Sequence, residues 1–435
     1  MLPAHTLRIS ALLTLVSVCS LGQDFVAKEP LATNPWTRTY SLQGMGKKAQ
    51  VDLPQDWQYT AVAMRIPHGA SFEGMYLTDG TDELIIEANP HGEDPRGQLS
   101  NLESLPHPSQ SYQLHIPTSY AGSLELILVN SGTAPKVQSP QQKGEDESYC
   151  EFPPAISQSE WRAGLPAPSP GRSFSNVGNL IVHHSAGSNT NTNFTQVVRD
   201  IYVFHTQTRG WSDVGYNYLI SQNGDLYLGR DPENGDQDRV IGAHFCGGNT
   251  GTMGVCLLGD YTNLSPTDTM LGTLERLLAW KAYKDEMDPM GTNSHRFNSN
   301  LGVIAGHRDG CATECPGQHT YDQLESMRER ITQRIGICSG DIPIVEEPSL
   351  PVDSISIYRL TSTYRPLRIY AVEPALVDTE EFYLIDVQGR SIPILAEPWT
   401  SNVWELRVPA DVVPGIYVLH LVVNHEARRQ RVRIF

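Results

Sequence analysis

Two stretches decide the fold: NLIVHHSAG at residues 179–187 and VIAGHRDGCATECPG at residues 303–317. Each opens on a short apolar run that ends in histidine. Such runs, bounded by turn residues, read as buried strands. Leu180, Ile181 and Val182 would deliver His183, and Val303, Ile304 and Ala305 would deliver His307, each at a carboxyl end. In open α/β sheets those ends face the ligand crevice. Residues 308–314 contain Gly310 and run into Cys315-Pro316, so they form a loop able to bring the Cys315 thiolate back to the same place. Two histidines and one cysteine leave a fourth position open, which is what a catalytic Zn2+ site needs for its water. The expected chemistry is metal-assisted hydrolysis. A closed structural site that adds Cys311 to Cys315 and two histidines is the rival arrangement, and it would remove the water.

The sequence around these stretches alternates strands and helices. Val197, Ile201 and Phe204 make a helical stripe, and Asn223-Gly224 turns a hairpin between YNYLIS and DLYLGR. Ser265-Pro266 opens a helix carrying Leu271, Leu274, Leu277 and Leu278. Thr320 with Gln323 predicts a capping box for a last helix that buries Leu324, Met327, Ile331 and Ile335. Together these elements predict an α/β domain over residues 149–339, with a mixed central β-sheet and flanking helices. His184 should point away from His183, because neighbouring strand residues face opposite sides. His205, His295 and His319 receive no role.

At 435 residues the chain exceeds one ordinary domain, and 39% hydrophobic content suffices for folded cores. A net charge of -17 argues against nucleic-acid partners and against electrostatic adhesion to an anionic wall polymer. Residues 1–22 read as a signal peptide: His5 and Arg8, an apolar core from Ile9 to Val18, then Ser20 and Gly22. Residues 24–130 contain QYTAVAMRI, DELIIEA, SYQLHI and SLELILV between turn residues, the pattern of a β-sandwich accessory domain. Residues 131–148 form a polar linker, 340–352 an acidic, Pro-containing one, and 353–435 a second β-sandwich. No later stretch approaches the ~20 apolar residues of a membrane helix. Of 7 Cys, Cys19 leaves with the signal peptide and Cys315 is a ligand, so an odd set remains. Cys150 with Cys338, and Cys246 with Cys256, are the pairings considered.

The segments SEWRAG, LIVHHSAG, TRGWSDVGYNYLISQNGDLYLGR, IGAHFCGGNTGTMGVCLLGDY and AGHRDGCATECPG occur in series between Tyr149 and Cys338. This series resembles the peptidoglycan recognition proteins and the related phage-lysozyme-type N-acetylmuramoyl-L-alanine amidases. The resemblance implies zinc ligation by His183, His307 and Cys315, a catalytic Tyr216, and a Thr313 that positions. It also implies contacts from His244 and Asn249 to a muramyl peptide of peptidoglycan. The implied reaction cleaves the amide between the lactyl group of N-acetylmuramic acid and L-alanine. Family members lacking the cysteine bind without cleaving, and this chain keeps it. A non-catalytic peptidoglycan-binding protein on the same fold and a zinc endopeptidase of the stem peptide are the alternatives. The chain departs from the animal proteins by inserting DPENGDQDRV between Arg230 and Ile241, so a preference for diaminopimelate or lysine stems does not carry over. At the other end, IDVQGR and PGIYVLHL resemble the C-terminal sorting domains of the type IX secretion system of Bacteroidota. That likeness implies a secreted or cell-surface protein handled by the type IX machinery.

Overall fold

The computed structural model describes residues 30–42, 50–89, 94–108, 111–120, 122–140 and 150–339, together with strands between 356 and 434. The signal peptide and the 340–352 linker lie outside the described residues. The chain divides into two compact units, Met1–Ser339 and Gly340–Phe435.

The strand Asn179–His184 is buried at every position. It runs parallel to Thr252–Leu257 on one side and to Ile304–Gly306 on the other. A strand flanked on both edges and covered on both faces needs an unbroken apolar run, which is why LIV shows no alternation. Tyr218–Ile220 adds in parallel to Thr252–Leu257, and Leu226–Leu228 folds back antiparallel after the Asn223-Gly224 turn. Gly224 sits at φ +86°, the left-handed region such a turn demands. Ala155–Ile156 completes a mixed six-stranded sheet.

Helices Asp268–Lys284 and Leu324–Ser339 cover one face, burying Leu274, Leu277, Leu278, Met327 and Ile331 against Leu180, Val182 and Val255. The first begins later than Ser265-Pro266 implied, because Thr267 is its N-cap and accepts from the Met270 N–H at 3.2 Å. The expected Thr320–Gln323 capping box is absent. Residues Gln318–Tyr321 already form a short helix, so Thr320 lies inside it, fully buried. Helix Phe194–Val203 covers the other face with Val198, Ile201 and Tyr202.

Cys150 and Cys338 form a disulfide that closes this region. Cys246 pairs with Cys311, and Cys256 is a buried free thiol, which corrects the Cys246–Cys256 pairing. Cys256 stands mid-strand opposite His183 and points into the core, out of reach of a loop cysteine.

Before Cys150, two antiparallel sheets share one apolar core that includes Tyr40, Met64, Leu126, Leu77 and Leu114. The outer face of the larger sheet is not solvated. Ala61, Ala63, Leu99, Leu102, Ile127 and Val129 join Trp161, Ile201 and Tyr202 in a single core. The packing unit therefore extends across the expected 131–148 boundary. Asp200, fully buried on the helix, accepts from Thr60 and Ser131 hydroxyls at 2.5 Å each, and Arg199 donates to the Ser131 carbonyl.

Two results follow. A chain beginning at Tyr149 and ending at Ser339 would expose this shared face. Each Leu, Ile or Val returned to water costs ~2 kcal/mol, against a total stability of about 5–15 kcal/mol. It should be insoluble or unfolded by circular dichroism, whereas residues 24–339 should melt cooperatively; a stable, folded 149–339 fragment would contradict the shared core. Burial also pushes the Asp200 carboxyl up to about 6. A raised acid favours the native state fully below its unfolded pKa, and that contribution is lost as pH rises from about 4 through about 6. Asp200→Asn should therefore lack a pH-dependent loss of up to ~3 kcal/mol that wild type shows across that window in urea titrations.

Among its described residues the second unit has two four-stranded antiparallel sheets. In one, Val377–Ile385 lies between Ser391–Pro393 and Gly415–Val423, with Glu426–Ile434 at the edge.

Candidate metal centre

The two parallel strands end side by side, and their ends bring His183 and His307 together. Their rings are 4.5 Å apart, centroid to centroid. The loop after His307 makes a 3-10 turn, in which the Asp309 carboxylate accepts from the Gly306 N–H at 2.8 Å. It then returns Cys315 to the strand end, where the Sγ accepts from the His184 N–H at 3.3 Å. One ligand atom from each of His183, His307 and Cys315 lies within 4.8 Å of the other two, and all three residues are buried.

Orientation of the donors is specific. His183 Nδ1 faces Cys315 Sγ at 3.6 Å, and His183 Nε2 meets His244 Nδ1 at 3.0 Å. A tetrahedral zinc with bonds of ~2.0 Å to nitrogen and ~2.3 Å to sulfur holds such donors about 3.5 Å apart. The observed spacing fits that ion, and the His244 contact fixes which nitrogen of His183 faces it. Burial holds the Cys315 thiol well above its usual pKa, a penalty that a bound cation would reverse. The rival closed site is not formed. Cys311 is bonded to Cys246 and cannot serve as a fourth ligand.

Tyr216 precedes the strand Tyr218–Ile220. Its ring lies 5.4 Å from that of His183 and 5.8 Å from that of His205. The next residue anchors it: the Asn217 side chain donates to the Val240 carbonyl and accepts from the Gly254 N–H. Burial, with Cys256 and Cys315 nearby, raises the Tyr216 phenol well above its usual range, so it stays a neutral donor. The Thr313 hydroxyl oxygen accepts from the Cys315 N–H at 3.1 Å and holds the turn that carries Cys315. His244 is buried against His183, and Asn249 Oδ1 accepts from the His244 and Phe245 N–H groups at 2.7 and 2.8 Å. Both therefore shape the loop beside the ligands. His184 turns the other way, accepting from the Tyr261 N–H at 3.2 Å, and burial lowers its pKa to about 4.

Three neighbours of the site escaped the sequence reading. Cys256, on the strand beside His183, hydrogen-bonds the Tyr216 hydroxyl. Phe245 packs 5.7 Å from His307, and His295, given no role above, packs 5.1 Å from Phe245. His295 comes from the hairpin formed by Thr292–His295 and Asn298–Gly302, whose polar sequence carries no apolar signal. The inserted segment is docked, not free: Asp238 pairs with Lys281 and Lys284 of the long helix.

Residues 173–318 match the family model described as N-acetylmuramoyl-L-alanine amidase. Peptidoglycan-recognition protein LB of Drosophila melanogaster is 30% identical over 202 residues, covering 44% of this chain and 76% of that protein. Peptidoglycan-recognition protein SC1a/b of Drosophila simulans is 32% identical over 146 residues, 33% of this chain and 70% of its own length. The solved wild-type structure of Drosophila PGRP-LB aligns with a TM-score of 0.33 at 29% identity, covering 40% of this chain and 93% of that one. The chain belongs to the family of peptidoglycan-recognition proteins and N-acetylmuramoyl-L-alanine amidases.

Proposed function

We propose that this protein is a secreted zinc-dependent N-acetylmuramoyl-L-alanine amidase that hydrolyses the lactyl-L-alanine amide of peptidoglycan. The observation that carries the reading is the convergence of His183 Nδ1, His307 and Cys315 Sγ at the strand ends, at zinc-compatible spacing. Zinc, when bound there, supplies Lewis acidity and lowers the pKa of water to roughly 7, making a nucleophile available at neutral pH. The chain's own groups do the remaining work. His244 holds the His183 ring, while Thr313 and the His184 N–H hold Cys315. Tyr216 remains protonated, and its O–H would turn from Cys256 to the amide oxygen as negative charge develops there, the kind of interaction that accounts for ~3 kcal/mol of barrier.

Elemental analysis of the mature protein should give one equivalent of zinc. Chelation should abolish release of alanine-terminated peptide, and added zinc should restore it. Tight muramyl-peptide binding without turnover in the zinc-loaded protein would leave the binding-protein alternative instead.

The signal peptide and residues 353–435 complete the proposal as export elements, the latter through the type IX machinery. Deleting 353–435 should leave hydrolysis unchanged in vitro and trap the protein in the periplasm of its host. Normal export of the shortened chain would refute the sorting role.

A further inference from the structure

Besides the Asp200 cluster, the N-terminal sheets make a second polar contact with the amidase region, at the loop that leaves the His183 strand. Asn101 and Glu103 are 3% and 1% exposed. Asn101 Nδ2 donates to the Ala186 carbonyl at 3.1 Å and to Glu103 Oε1 at 2.6 Å. Glu103 Oε2 accepts from the Ser188 N–H at 3.1 Å. Asn191 Nδ2 reaches back to the carbonyls of Ser104 and Leu105, at 3.3 Å each. A Cβ on Gly187 would meet the Leu102 carbonyl oxygen at 2.9 Å, so the two backbones touch there.

These contacts fall on residues 186–191, within seven positions after His184. Ala186 stands at φ +57°, a conformation a β-carbon disfavours and that persists only when surroundings impose it. The Asn101 bond to its carbonyl is part of that imposition. Burial raises the Glu103 carboxyl to about 8, with Asp260 and Glu87 adding to the rise, so the tether is largely neutral near pH 7.

We infer that the N-terminal β unit is a positioning part of the hydrolytic centre, with Asn101 and Glu103 fixing the Ser185–Asn191 loop as one wall of the substrate cleft. The unit is thus not a detachable wall-binding module. The inference rests on the amidase reading and names positioning residues, not catalytic ones.

The test uses the full mature chain and a soluble muramyl peptide. Glu103→Ala should raise KM tenfold or more while kcat stays within twofold and zinc stays at one equivalent. Glu103→Gln, which keeps an acceptor for the Ser188 N–H, should raise KM less. An unchanged KM in folded Glu103→Ala, or a fall in kcat with loss of zinc, would overturn the assignment. Should that variant not fold, amide exchange in wild type decides: the Ser188 N–H, held by Glu103, is expected to exchange as slowly as the His183 strand, and fast exchange there overturns the tether. Wild-type turnover in the same assay judges the amidase reading separately, since the exchange result does not depend on it.

Discussion

Cys315→Ala should lose zinc and hydrolysis together, with activity falling at least ~1000-fold, because a metal that has lost one of three protein ligands no longer stays to activate water. The side chain is fully buried, and its removal leaves a small cavity beside His183. Deleting so few atoms costs about 1 kcal/mol, far below what the fold can bear. The variant should therefore remain folded, and its spectrum and melting separate loss of metal from loss of structure. Zinc persisting at one equivalent in Cys315→Ala would remove Cys315 from the ligand set.

Tyr216→Phe should behave differently. The ring is packed between His183 and His205, and the hydroxyl meets Cys256, so removing one oxygen leaves the packing intact. Zinc should stay at one equivalent while kcat falls about 100-fold or more, since only the transition state draws on that hydrogen bond. KM should change little. Near-normal kcat would return Tyr216 to an ordinary core tyrosine.

The ligand strands were legible because burial on two faces writes an unbroken apolar run, and the Asn223-Gly224 turn because only certain residues tolerate its backbone. The same principle contained a clue about the N-terminal unit. Strand Ala61–Ile66, AVAMRI, is buried at all six positions, as a strand covered on both sides must be. Val62, Met64 and Ile66 fill the unit's own core, while Ala61 and Ala63 face the amidase side. An accessory domain with a solvated outer face would have alternated there.

Other features left no trace. Cys246 and Cys311 are separated by 65 residues, and which cysteine meets which depends on loop paths that local sequence does not encode. His295 reaches Phe245 from a hairpin of mostly polar residues, and Glu103 reads as an ordinary strand-end carboxylate until the Ser188 N–H is seen against it. His183, His307 and Cys315 stood out as candidate ligands since metal chemistry restricts residue type. The groups that hold them in place are set by register and packing alone.

Mass spectrometry of peptidoglycan digested by the zinc-loaded mature protein tests the central claim most directly. The account predicts free stem peptides that begin at L-alanine, together with glycan strands bearing intact lactyl groups. Shortened stems still joined to muramic acid, or no new products from a protein that holds its zinc, would contradict it.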